Sequence, residues 1–401
     1  MYKIFFYLFV PFFLASGISC KKSGTIPDPA PPPAPILSVA DASEVRTTVA
    51  GTLRFNIALN KTTSKIISVG YSLVDGTALA PQDYVSSSGT ITIPANQTQV
   101  VLEVPIKGDP TNLRQNNLYF TLQLSNPQNT SLAATSAKGY IVTENGTNLP
   151  TNNNGYSTPS SYPGYTLAWS DEFTGSSVDL AAWNQENGNG SNGWGNNELE
   201  YYTNSVKNCF VSNGNLIIEA RKEAMAGFNY TSARMTTQNK KNFKFGRIDI
   251  RAKLPVGKGI WPALWMLGEN INTAGWPACG EIDIMELIGT NPSRVYGTMH
   301  WKPLSGSNVN KGGNYDLSSG DYSQQFHVFS IVWIQNSIKW YVDDVLFFTG
   351  TSADMAGANY PFNANQFLIF NVAVGGNWPG PPDVNTVFPQ RMFVDYVRVF
   401  Q

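Results

Sequence analysis

Residues 280–286 read Gly-Glu-Ile-Asp-Ile-Met-Glu, and they set three carboxylates, Glu281, Asp283 and Glu286, within six residues of strand-like sequence. Side chains in a strand alternate between faces, with i and i+2 neighbours roughly 6.6 Å apart. Glu281 and Asp283 therefore share a face, and Glu286 has the opposite parity. One extra residue, a β-bulge between Asp283 and Glu286, restores the phase and brings all three acids to one face. Ile282 and Ile284 are then left for the core. Carboxylates this close repel one another unless one keeps a proton. An ionised acid beside a protonated one is the pairing that hydrolysis of a glycosidic bond requires. The alternative is a solvated acidic strand. Against it, only 14% of the chain is charged, and the run is flanked by aromatics and glycines instead of lysines.

The elements that would position these acids are β-strands. The chain has 401 residues, enough for two or three domains. Many short runs of β-type sequence are separated by Gly/Asn turns, which predicts an all-β, exported protein. Lys and Arg number 27 against 28 Asp and Glu, and no basic run is longer than Lys21-Lys22. No nucleic-acid partner is expected, and a heavily sulfated polymer is disfavoured. Two histidines and no His-Glu-x-x-His run argue against a catalytic metal. No Gly-x-Ser-x-Gly elbow supports a serine nucleophile. All ten Trp lie beyond residue 165. In a groove they would stack on the apolar C–H faces of sugars, and in a core they would fill volume; composition leaves both open.

Residues 1–19 combine Lys3, an apolar stretch and small residues, the pattern of a signal peptide too short to remain as a membrane span. Ser19-Cys20 followed by Lys21-Lys22 resembles a bacterial lipoprotein signal, in which Cys20 becomes the lipidated first residue; an ordinary cleaved signal is the alternative. Residues 20–35 are a Pro-rich tether. Within 36–145, runs at 52–59, 65–73, 89–93, 99–107, 118–124 and 139–142 predict a β-sandwich of about seven strands. Residues 146–162 have linker composition. In 163–401, runs at 216–220, 246–254, 261–267, 281–287, 295–301, 327–334, 338–342, 367–374 and 391–400 predict two packed antiparallel sheets, a jelly-roll sandwich. Cys209 and Cys279 are open to one disulfide or to two buried thiols.

Many ordered pieces of 163–401 resemble glycoside hydrolase family 16, in its laminarinase-like branch. They include Trp169-Ser-Asp-Glu-Phe173, Asn196-Asn-Glu-Leu-Glu-Tyr-Tyr-Thr203, Gly259-Ile-Trp-Pro-Ala-Leu-Trp-Met266, Gly280–Glu286, Gly297-Thr-Met-His-Trp301 and Asn371-Val-Ala-Val-Gly-Gly-Asn-Trp378. The resemblance implies a retaining endo-β-1,3-glucanase acting on laminarin-type glucans, with mixed-linkage β-1,3-1,4-glucans a second substrate class. It assigns Glu281 as nucleophile, Glu286 as general acid/base and Asp283 as the group that orients the nucleophile. It places Trp261, Trp265, His300, Trp301, Trp378, Asn197 and Arg234 against the sugar chain; a core or surface position is the alternative for Trp265, His300, Asn197 and Arg234. His327 reads as structural. No cofactor is implied for catalysis. A structural Ca²⁺ is implied at Asp395 with backbone oxygens near Glu172 and Gly214, a strand-capping Asp being the alternative.

Residues 36–145 resemble a Calx-β domain through Val69-Gly-Tyr-Ser-Leu-Val-Asp-Gly-Thr-Ala78, Ser88-Gly-Thr-Ile-Thr-Ile-Pro94 and Phe120-Thr-Leu-Gln-Leu-Ser-Asn-Pro127. Arg and Asn occupy its loop 109–117 where that family carries acids, so calcium is not expected there. The expected whole is a monomer, lipid-anchored at the cell envelope. Competing readings are an agarase- or carrageenase-type hydrolase and a non-catalytic glycan-binding protein. The latter would lack one catalytic acid, and both are present.

Overall fold

β-branched and aromatic residues alternating with polar ones produce strands throughout the computed structural model, which describes residues 33–108, 118–143, 151, 153–384, 386 and 388–401. Residues 1–19, Cys20 and the loop 109–117 lie outside the described residues, as does all of the tether but 33–35.

The first sandwich packs a four-stranded sheet, built around Ile36–Val39, Gly51–Leu59 and Gln99–Ile106, on a five-stranded sheet built around Ala42–Arg46, Ile67–Asp75, Leu118–Gln128 and Ser136–Thr143. Its core centres on Phe55, Tyr84 and Phe120, with Tyr84 stacked on Phe120 at 4.3 Å between ring centroids. The short strands Ile36–Val39, Ala42–Arg46 and Ser131–Leu132 carry too little pattern to be read from sequence.

The second sandwich has a seven-stranded sheet that carries the acids. Its labelled strands are β1 (Arg234–Thr236), β2 (Ile260–Gly268), β3 (Glu281–Leu287), β4 (Arg294–Trp301), β5 (Val309–Asp316) and β6 (Gln366–Val374). Asn184–Gln185 pairs with β1, and the order then runs β1-β6-β2-β3-β4-β5, antiparallel throughout. An eight-stranded sheet that includes Gly246–Lys253, His327–Ile334 and Gln390–Phe400 lies behind it. Between them sits a core containing Trp183, Trp333 and Trp340, all without solvent exposure. Truncating any one of these to Ala removes about 3–5 kcal/mol. Among the described residues, helix is confined to single turns such as Ile271–Ala274.

Residues 34–401 form one compact unit, so the two sandwiches meet directly. Ile217 from the second sandwich packs with Tyr140 and Val142, joined by Val45, Tyr119, Phe210 and Phe393. Ser38 Oγ donates to Asp321 Oδ2 at 2.7 Å, and Arg391 donates to Ser43 Oγ. Lys253 is buried at this junction with its ammonium 4.6 Å from the ring centre of Phe393, and burial holds its pKa below the usual lysine range. The stretch of linker composition is fastened at its far end. Arg251 donates to the carbonyls of Asn153 and Tyr156, and the Tyr162 hydroxyl donates to Asp249. Arginine satisfies backbone carbonyls that a free linker would leave to water.

Candidate active site

The bulge lies where the alternation of acids requires it. Across β2–β3, Trp265 faces Asp283 and Leu264 faces Met285, so Ile284 has no partner; across β3–β4 the register shifts between Asp283 and Glu286. Ile282, Ile284 and Met285 all enter the core, while Glu281, Asp283 and Glu286 face one open cleft. A bulge disrupts the ladder locally. The core indole of Trp340 donates to the Asp283 carbonyl at 2.8 Å, which pins the backbone there. Just ahead of Glu281, Gly280 has φ +81°, and a Cβ there would meet Pro361 at 2.8 Å. Glycine permits this entry into the strand.

The cleft has a volume of about 600 Å³. Strand parity furnishes its floor. Trp261, Ala263 and Trp265 come from β2, and Tyr296, Thr298 and His300 from β4, where exposure alternates residue by residue. Each of the two glutamates has its own donor. Trp276 Nε1 donates to Glu281 Oε2 at 2.9 Å, and Trp261 Nε1 donates to Glu286 Oε1 at 3.0 Å. His300 Nε2 lies 3.3 Å from Asp283 Oδ2 and 3.6 Å from Glu281 Oε1.

Burial pushes the Glu281 carboxyl up to about 8, with the neighbouring Asp283 charge adding to it. Burial likewise pushes Asp283 up to about 8. Glu286 is held well above the usual carboxylate range by burial, and then by the charges of Asp283 and Glu281. His300 and an indole favour the anion on both glutamates, Trp276 at Glu281 and Trp261 at Glu286, but Glu281 faces one acid and Glu286 faces two. The arrangement can therefore keep a proton on Glu286 while Glu281 is the first to ionise.

With that geometry in view, the profile described as "Glycosyl hydrolases family 16" matches residues 196–397, and the profile described as "Calx-beta domain" matches 36–145. The chain belongs to glycosyl hydrolase family 16. It is 42% identical over 252 residues to a "Beta-glucanase" of Rhodothermus marinus, covering 60% of this chain and 86% of that protein. It is 40% identical over 260 residues to "Glucan endo-1,3-beta-glucosidase A1" of Niallia circulans, covering 59% of this chain and spanning 38% of that relative's length. Among solved structures it resembles the laminarinase catalytic domain of Thermotoga maritima, with a TM-score of 0.56 and 51% identity over 59% of this chain and 98% of that one.

Other positions expected from sequence fall in several places within the family 16 domain. Trp261, Trp265, His300, Arg234 and Trp378 line the cleft. Trp378 is 45% exposed, and its ring meets those of Trp261 and Tyr296 edge-on. Trp301 does not reach the cleft: it follows His300 on β4, so parity turns it into the core, where it is 3% exposed. Asn197 bonds Asn377 Oδ1 at 2.8 Å across two loops, and it is its neighbour Asn196 that lines the cleft. The guanidinium of Arg234 is sandwiched between the rings of Trp194 and Trp265, at 4.4 and 4.8 Å, and paired with Glu186. His327 is buried with Nδ1 2.7 Å from Asp343, a structural position. Cys209 and Cys279 are separate buried thiols.

Trp194, Trp276, Tyr296, Thr298, Asn308 and Asn310 line the cleft and were not anticipated. Trp276 and Trp194 sit on loops, where no periodicity signals orientation. The β5 residues read Val-Asn-Lys-Gly-Gly-Asn-Tyr-Asp, a poor strand sequence.

The residues considered for calcium do not fit a cation site. Asp395 accepts from Arg251 at 2.7 Å, and Glu172 holds Arg398 through both oxygens at 2.8 and 2.7 Å. These guanidinium groups already neutralise the carboxylates, and Gly214 belongs to the turn between Cys209–Ser212 and Asn215–Ala220. Among the described residues, the one cluster of three metal-type side chains is Glu281, Asp283 and His300, in the cleft itself.

Proposed function

We propose that the chain is a retaining endo-β-1,3-glucanase of laminarinase type. The observation that carries this is the bulged strand, which puts Glu281 and Glu286 on one face of a Trp-lined cleft, each with its own indole donor. The relatives named for 1,3-β-glucan and laminarin support the substrate class.

In the first step a Glu281 oxygen bonds to the anomeric carbon as the bond from that carbon to the leaving sugar breaks. The Glu286 proton passes to the departing oxygen. In the second step water gives a proton to Glu286 and its oxygen to the anomeric carbon, and the bond to Glu281 breaks. Asp283, between the two acids and 3.3 Å from His300, holds Glu281 in orientation and raises its proton affinity. Trp261, Trp265 and Trp378 supply stacking faces for the sugars.

The purified protein is to be assayed on laminarin, lichenan, agarose and κ-carrageenan. Release of short β-1,3-oligosaccharides from laminarin, first formed as the β-anomer by NMR, is expected. Cleavage confined to a galactan would overturn the substrate class and keep the two acids. Inertness of the folded protein on every polymer would favour a binding protein.

Ser19-Cys20 and the preceding apolar run support export and lipidation at Cys20, which would hold the enzyme at the cell envelope. Retention in the membrane fraction that vanishes in Cys20→Ala is the expected result.

A further inference from the structure

Two more acids lie beside the cleft and take no part in the chemistry above. Glu198 is 7% exposed and Glu200 is fully buried. Among the described residues neither has an ion-pair partner, and no cation is among the groups acting on Glu200. Such a pair cannot be doubly ionised in a low dielectric without severe repulsion.

The hydrogen bonds say which acid is charged. Glu198 accepts from Asn196 Nδ2 at 3.1 Å on one oxygen and from the Tyr202 hydroxyl at 3.0 Å on the other. Tyr202 in turn accepts from Asn371 Nδ2 at 3.0 Å, and Asn371 Oδ1 accepts from Trp265 Nε1 at 2.8 Å. Every donor in this chain points towards Glu198, an arrangement suited to an anion. Glu200 accepts the Val374 amide, at 2.6 Å on Oε2. Its Oε1 is buried, finds no donor, and neighbours the Glu198 carboxylate. A proton on Glu200 would turn two facing acceptors into a hydrogen bond.

We propose that Glu200 retains a proton which it shares with Glu198, and that this acid pair is a positioning device for the substrate-stacking wall of the cleft. Through Tyr202 and Asn371 it fixes the indole of Trp265. Through Asn196 it holds the loop 192–197, and through the Val374 amide it is tied to the end of β6. That loop needs holding: Asn192, Trp194 and Asn197 all have φ between +52° and +56°, and Trp194 covers one face of Arg234. Burial and the Glu198 charge hold Glu200 well above the carboxylate range. The other titratable or charged groups at the cluster are Tyr202, kept neutral by burial and the two acids, and Arg234, which acts on Tyr202 and is itself paired with Glu186.

The inference rests on the cleft being a glucan site, and its test separates the two. KM and kcat for laminarin are to be measured against pH for the full chain and for Glu200→Gln and Glu200→Ala. In the wild type KM is expected to rise on the alkaline side, independently of the kcat limb set by the catalytic acids. Glu200→Gln, a neutral donor of the same shape, keeps the neutral-pH KM and removes its alkaline rise. Glu200→Ala raises KM several-fold at every pH with a smaller effect on kcat. A KM of Glu200→Gln that climbs with pH as the wild type's does, or that is already as weak as that of Glu200→Ala at neutral pH, would overturn the proposal. If Glu200→Ala fails to fold, the pH profile of Glu200→Gln alone still decides. A wild type that does not cleave laminarin would instead sink the glucan reading; the alkaline loss of thermal stability, smaller in Glu200→Gln than in wild type because one of the raised acids is gone, then tests the shared proton by itself, and an equal loss in both would overturn it.

Discussion

The indole Nε1 of Trp261 donates to Oε1 of Glu286 at 3.0 Å, so one side chain both walls the cleft and bears on the acidity of the proposed general acid. This bond favours the anion of Glu286 and opposes the burial that raises its pKa. Trp261→Phe keeps a stacking face and loses the donor. The Glu286 pKa then rises further, so the alkaline limb of the kcat/KM profile is expected at higher pH, with the optimum rate lowered about tenfold by the lost hydrogen bond. An alkaline limb that stays put or moves to lower pH would show that the indole does not control this proton.

Asp283→Asn acts in the opposite sense. Its charge raises both Glu281 and Glu286. Without it both acids release their protons more readily, and the whole pH–rate profile should move to lower pH. The rate should also fall, because the group proposed to orient Glu281 is gone. An unmoved profile would mean that Asp283 is neutral throughout the working range.

Glu281→Gln is expected to abolish turnover by several orders of magnitude and yet to stabilise the fold. The folded carboxyl titrates near 8, while the unfolded one titrates at the ordinary value near 4.5. Between these values the native state binds more protons than the unfolded state, so stability falls as pH rises from about 4.5 to 8. The amide removes that dependence. Because the cluster titrates as a set, a gain of about 2 kcal/mol at pH 8 is the expected scale, vanishing near pH 4. Thermal melts at the two pH values check this directly.

Burial pushes the Cys209 thiol up to about 12 and that of Cys279 up to about 11. Thiolate is the reactive form, so neither should be alkylated in the native protein, and reducing agent should leave the melting temperature unchanged. Rapid labelling at neutral pH would contradict the buried positions.

At the junction of the two sandwiches, Ile217 has no solvent exposure and packs against Tyr140 and Val142. Ile217→Asp buries an unpaired charge there, with an expected cost of about 3 kcal/mol or more. Calorimetry should show one cooperative transition in the wild type and two separated transitions in the variant. A single unshifted transition would show that the contact carries no coupling.

The three acids were legible in the sequence because strand parity leaves only one arrangement for Glu281, Asp283 and Glu286, and that arrangement needs a bulge. Parity also bore on Trp301: its neighbour His300 faces the cleft, so Trp301 faces away, and reading the motif as a block hid this. Asn196 and Asn197 could not be separated because the loop that holds them follows no period. Trp276 and Trp194 contact the site from loops whose path depends on tertiary neighbours. The pairing of Glu198 with Glu200 needed the structure, since spacing by two residues alone suggests only a shared face.

The bulge has a consequence for chain length. A five-residue run of the form Glu-x-Asp-x-Glu would set all three acids on one face with no irregularity at all. The extra residue in Glu281–Glu286 is therefore not needed for alignment; it sends both Ile284 and Met285 inward and bends the strand. By the same parity, deleting Met285 or inserting one residue beside it makes the Asp-to-Glu spacing even, and either change would leave the acids aligned on a flatter floor without a bulge. Curvature, not parity, is what a shorter or a longer version of this segment would forfeit.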